Sequence, residues 1–134
     1  MKSKFLKTAT IVATCAMLSV IPVSAATESY HFVFKSTDGA LPVNSGYKND
    51  TEQNYYITIS GGNLSSANVF GTRIRRSSDN AFVSNYVLHK AKKQSKAYAY
   101  TSKVDTDTLY YMRGKKDTSS TTSTALEVSG RVTY

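Results

Sequence analysis

The stretch Ala125-Leu126-Glu127-Val128-Ser129-Gly130-Arg131-Val132-Thr133-Tyr134 decides the fold. Leu126, Val128, Val132 and Tyr134 share one parity with Gly130, and Glu127, Ser129, Arg131 and Thr133 share the other. Side chains alternate across a β-strand, so this segment reads as a strand with one buried and one wet face, as in an antiparallel sheet covered on one side. A helix would need apolar residues three and four apart, and no long stretch of the chain beyond residue 26 shows that spacing.

Upstream, the same period recurs. Tyr30, Phe32 and Phe34 alternate with His31, Val33 and Lys35 before a turn at Asp38-Gly39. Tyr55, Ile57 and Ile59 alternate with Tyr56, Thr58 and Ser60 until Gly61-Gly62-Asn63 stops the strand. The segment from Ala67 to Arg76 sets Phe70, Thr72 and Ile74 against Val69, Arg73 and Arg75. Ser77-Ser78-Asp79-Asn80 is a four-residue turn, so a return strand from Ala81 to about His89 would complete a hairpin. Lys96 to Ser102 and Thr108 to Gly114 read as two more strands, joined by a polar turn around Asp105-Thr106-Asp107. Leu41 to Gln53, polar and containing Pro42 and Gly46, reads as a loop, and the Ser/Thr-rich Asp117 to Thr124 reads as a mobile one. Seven short strands separated by polar turns predict an all-β, single antiparallel β-sandwich-like domain.

The N-terminus is of another kind. Lys2, Lys4 and Lys7 precede an apolar stretch from about Thr8 to Val23, and Val23-Ser24-Ala25 supplies the small residues that a signal peptidase reads. Residues 1–25 are therefore expected to be a cleaved signal peptide and 26–134 the secreted domain. The apolar stretch falls short of the roughly 20 residues that span a bilayer, and Pro22 breaks it. No membrane-spanning segment is expected in the mature form. The chain's one cysteine, Cys15, would leave with the signal, so the mature domain would have no disulfide and no thiolate metal site.

Charge divides the mature sequence. Ala26 to Thr72 carries two bases and four acids, whereas the chain from Arg73 onward carries twelve bases and five acids. An electrostatic partner should be anionic and meet the second half. Lys90, Lys92, Lys96, Tyr98 and Tyr100 share one parity and would line one face if the segment is extended, opposite Ala91, Ala97 and Ala99. Arg73 and Arg75 share a strand face, and Arg113, Lys115 and Lys116 mark the end of the following hairpin. Such a surface would hold polyanions by charge and rings by stacking. The same parity also suits Tyr98 and Tyr100 in the core, with the lysines serving solubility.

Catalytic signals are thin. His31 and His89 are the only histidines, and the sequence has no serine-nucleophile elbow, zinc-binding histidine motif or phosphate loop. A histidine pair near Lys or Arg is the one route to acid-base work on a phosphodiester. Asp105 and Asp107 would share a face, yet they lack the further ligands of a calcium loop and read as a solvated turn. No catalytic residue, metal or cofactor is expected.

The Lys-rich signal ending in Val23-Ser24-Ala25-Ala26, the strand end Tyr110-Tyr111-Met112-Arg113-Gly114-Lys115, the Ser/Thr loop and the closing Val128-Ser129-Gly130-Arg131-Val132 carry a resemblance. The chain resembles the small exported β proteins of unknown function common in Gram-positive bacteria, over the signal and about the last thirty residues. The resemblance implies an extracellular setting in or beyond a thick wall rich in anionic polymer, and brings no catalytic residues. The leading expectation is a secreted non-enzymatic binding module that contacts an anionic cell-envelope polymer or a protein partner, with nucleic acid disfavoured. Two rivals are a cationic antimicrobial or toxin-like protein and a small secreted hydrolase or nuclease. The first lacks an amphipathic basic helix, and the second rests on the two histidines alone.

Overall fold

Alternation of apolar and polar side chains forces each strand to bury one face, and two sheets meet to cover those faces. The computed structural model describes residues 25–134. The expected signal peptide, its cleavage site through Ser24, and Cys15 lie outside the described residues. Nine strands form and no helix occurs among the described residues: β1 (Thr27–Phe34), β2 (Leu41–Pro42), β3 (Gly46–Lys48), β4 (Asn54–Gly62), β5 (Phe70–Arg76), β6 (Val87–His89), β7 (Lys93–Ala99), β8 (Thr108–Lys116) and β9 (Leu126–Thr133). One sheet has the order β1-β9-β4-β7, the other β2-β8-β5-β6 with β3 also paired to β8. Every pairing is antiparallel. The chain is a β-sandwich, as the alternation predicted.

All seven expected strands are present, and the differences are local. The expected loop at Leu41–Gln53 contains β2 and β3, too short for alternation to show; Pro42 is tolerated because β2 lies at a sheet edge. The return strand after the Ser77–Asn80 turn is interrupted: Phe82 and Ser84 make only isolated bridges before β6 begins. The Ser84 hydroxyl accepts from the Ile74 N–H at 2.8 Å and donates to the Asn85 carbonyl, replacing a ladder bond. The turn itself forms, with Asn80 left-handed at φ 57° and Arg76 paired to Asp79 at 3.1 Å. β7 and β8 are not a hairpin but belong to different sheets, because the chain crosses between them after Tyr100. Gln53 fixes that crossing, its carbonyl accepting from Tyr100 N–H and its side-chain oxygen from Val104 N–H.

The inward faces meet in an aromatic core. Tyr30, Phe32 and Phe34 from β1 pack on Phe70 of β5, ring centroids 6.0 to 6.3 Å apart, while Tyr55, Tyr98, Tyr100 and Tyr110 cluster at the other end. Burying each large apolar side chain contributes about 1.5–3 kcal/mol. Gly130 is required at the centre: a Cβ there would lie 2.0 Å from the Thr58 carbonyl oxygen and 2.8 Å from the Tyr30 hydroxyl, which itself donates to that carbonyl. Val69, expected on the arginine face, is fully buried just ahead of β5, bonded to Ser120 and Asp117. Those bonds hold down the Ser/Thr segment expected to be mobile. The buried Lys116 ammonium donates to the Thr122 and Thr124 carbonyls at 2.8 and 2.7 Å, and Thr121 and Thr122 both donate to Ala67 O.

Candidate functional site

The outer face of the β5–β8 pair follows from register. Alternate residues of β8 point inward and are buried, so Leu109, Tyr111, Arg113 and Lys115 point out. On β5 the outward residues are Gly71, Arg73 and Arg75, opposite Lys115, Arg113 and Tyr111 respectively. Two arginines thus face each other across one antiparallel pair, an arrangement that is destabilising unless something anionic relieves it.

The guanidiniums are held in place. Phe82, 46% exposed, comes back from the interrupted strand and lies under both Arg73 and Arg75, 3.5 and 4.1 Å from its ring centre. Such contacts contribute about 0.5–1 kcal/mol each at exposed sites. Arg73 Nε donates to Ser84 O at 2.9 Å and Arg113 donates to Ala40 O at 2.7 Å. Arg75 has no such anchor among the described residues. Among the described residues none of Arg73, Arg75, Arg113 or Lys115 makes an ion pair.

Tyr86 closes one end. Gly71 makes this possible, since a Cβ at that position would sit 1.7 Å from the Tyr86 hydroxyl. That hydroxyl donates to Asp117 Oδ2 at 2.8 Å, and the Ser119 N–H donates to the other carboxylate oxygen. Burial, then the bond to Asp117 and its charge, push the Tyr86 hydroxyl pKa well above its usual value, so it remains a donor. Burial alone would raise the Asp117 pKa, but bonds from Ser119 and Tyr86 and the Lys115 charge outweigh it and hold the carboxyl below its ordinary value. The nearest acid is therefore ionised and tied down. The remaining cleft, about 250 Å³, is lined by Ala40, Arg73, Arg75, Phe82, Tyr86, Arg113 and Lys115, with no Asp, Glu, His or Cys to act as a general base. The charge it presents is positive.

The sequence-predicted residues fall into two groups. Arg73 and Arg75 are on this face, joined by Arg113 and Lys115. Lys90, Lys92 and Lys96 are exposed along β7 and the turn before it, at the edge of the other sheet. The single parity expected from Lys90 to Tyr100 does not persist, because Ser95 adopts φ 42° and the β4–β7 register shifts there. Lys93 takes the place expected for Lys92 and donates to the Tyr98 hydroxyl at 3.0 Å. Tyr100 is 9% exposed and Tyr98 packs half-buried on Tyr55, 5.6 Å between ring centres. Both rings thus belong to the core.

The two histidines do not meet. His31 is exposed on the outer face of β1, 3.5 Å from Glu127, whereas His89 is buried inside the sandwich with Nε2 2.8 Å from the Thr72 hydroxyl. Burial, and then the Lys93 charge, lower the His89 pKa from 6.5 to about 3, so its ring is neutral. Asp105 and Asp107 are exposed, and no group of three metal-ligating side chains forms among the described residues.

Fold and site together define a basic β-sandwich with a cationic cleft on the outer face of its five-stranded sheet. Comparison with known proteins finds no matching family model, no similar curated protein and no matching solved structure.

Proposed function

We propose that this domain is an exported, non-enzymatic binding module that holds an anionic cell-envelope polymer on the outer face of its five-stranded sheet. The observation that carries this reading is the Arg73–Arg113 cross-strand pair, flanked by Arg75 and Lys115 with no acid in the cleft. A fold selected for stability alone would place a carboxylate opposite one of these arginines, because opposite charges stabilise a cross-strand pair and like charges do the reverse. Guanidinium forks match carboxylate and phosphate oxygens, and the stacking of Arg73 and Arg75 on Phe82 reduces the entropy lost on binding.

The second cationic group plays a supporting part. Lys93 and Lys96 lie on the edge strand β7, with Lys90 and Lys92 in the turn before it, and lysine at an edge discourages edge-to-edge pairing with another chain. They also add to the field that attracts a polyanion.

The test is retention on purified Gram-positive cell wall at low salt. Arg75→Gln with Lys115→Gln removes two charges without cutting a backbone anchor, so retention should fall while stability drops by only about 1 kcal/mol, the loss of the Arg75 contact with Phe82. Lys92→Gln with Lys96→Gln should weaken retention less. Undiminished retention by the Arg75/Lys115 variant would refute the site.

A further inference from the structure

The cationic cleft is one end of a longer track. Continuing along β8 from Arg113, the outward row runs through Tyr111 to Leu109, whose cross-strand partner on β3 is Tyr47. Between Lys115 and Leu109 the row spans about 20 Å at roughly 3.4 Å per residue. At its far end lies a cleft of about 480 Å³ lined by Tyr47, Ser77, Ser78, Asp107, Thr108 and Leu109. A shallower hollow lined by Pro42, Ser45, Ser77 and Tyr111 shares Ser77 with it, and Pro42 pairs with Arg113 in the β2–β8 register.

This end differs in chemistry. It has no cation; instead a phenol ring, 53% exposed, stands beside one carboxylate and three hydroxyls. Asp107 is held left-handed at φ 59°, its N–H donating to Lys48 O at 2.8 Å, and its carboxylate makes no ion pair among the described residues. The Ser45 and Ser77 hydroxyls bond each other at 3.0 Å. The face of an aromatic ring carries negative potential and attracts the weakly positive C–H face of a sugar ring. A carboxylate and hydroxyls around it accept and donate to sugar hydroxyls. A bare polyanion gains nothing from such a place, since Asp107 would repel it.

We infer that the Tyr47–Asp107 cleft is a neutral-sugar subsite and that the ligand is a linear anionic glycan, its charges on Arg73, Arg75, Arg113 and Lys115 and an uncharged sugar ring on Tyr47. This inference rests on the binding role proposed above and adds the class of polymer. The anion is a phosphate or a uronate carboxylate, both of which suit guanidinium.

Three probes of matched charge density and of more than 20 Å in length decide it: a phosphorylated dextran, a partly neutral uronate oligosaccharide, and polyphosphate, which has no sugar. Tyr47→Ala and Asp107→Asn, the latter chosen because Asn tolerates a left-handed backbone, should each weaken the better-bound glycan by about tenfold, the equivalent of 1.4 kcal/mol. Polyphosphate affinity should be unchanged by Tyr47→Ala and unchanged or raised by Asp107→Asn. Tyr47→Phe should bind glycan like the parent, which separates loss of the ring from a folding defect. Whichever glycan binds tighter names the anion. Tyr47→Ala with undiminished glycan binding, or with equal losses for glycan and polyphosphate, overturns the sugar subsite and leaves the anion site standing. If Arg75→Gln with Lys115→Gln also binds every probe like the parent, the anion site falls with it.

Discussion

Arg73 and Arg75 were legible as a pair on one strand face, because alternation alone places them there. Phe82 and Tyr86 were not, since each reaches the site from an interrupted strand whose path depends on the Ser84 hydroxyl replacing a ladder bond. Tyr98 and Tyr100 show the converse: parity grouped them with lysines, but the two rings pack on the core while Lys90, Lys92 and Lys96 stay exposed. Tyr100→Ala should therefore cost about 3–5 kcal/mol, as other buried aromatic truncations do, and the half-buried Tyr98→Ala less, both read from urea midpoints. His89 makes a pH prediction. Its folded pKa lies below its unfolded value, so its contribution is fully present above pH 6.5 and is lost as pH falls towards about 3. Between pH 7 and 5 the fold should lose about 2 kcal/mol, the slope approaching 1.36 kcal/mol per unit below pH 6. Urea melts across that range should show the slope, and His89→Gln should flatten it; a parent protein equally stable at pH 7 and pH 5 would contradict a buried neutral ring.

At the scale of elements, β5 and β8 form the site and Gly71 lets its end close. Gly71→Ala should push Tyr86 off Asp117, because the new methyl meets the phenol oxygen. The released carboxylate then stands near Lys115 and competes with the ligand. The expected result is a stability loss of about 1 kcal/mol, one net hydrogen bond, together with weaker polyanion binding. Tyr86→Phe should reproduce the binding loss without the clash. The segment after β8 misled the sequence reading because its Ser and Thr content signals solvent, whereas two of its carbonyls receive the buried Lys116 ammonium. Lys116→Met should leave those carbonyls without their donor and cost about 2 kcal/mol. Hydrogen exchange at Thr121 and Thr122, whose N–H groups donate to Ala67 O, should be slow in the parent and accelerate in the variant; unchanged protection would mean that Lys116 does not hold the segment.

Over the whole molecule, the sandwich and its aromatic core were readable because period-two alternation fixes which side chains are buried. The crossing between β7 and β8 was not readable, because a polar connection looks the same whether it closes a hairpin or passes from one sheet to the other. The excess of bases after Arg73 was also plain, but sequence could not divide it into a guanidinium face on one sheet and a lysine edge on the other. That division is the central claim, and salt tests it. An anion-polymer site using four cations should lose affinity with a log–log salt slope of about −3, by analogy with the ion release of flexible polyanions. The decisive measurement is that slope for the parent and for Arg75→Gln with Lys115→Gln, taken on one wall polymer by titration. The account predicts a fall to about −1.5 in the variant; a slope near zero in the parent, or the same steep slope in both proteins, would contradict it.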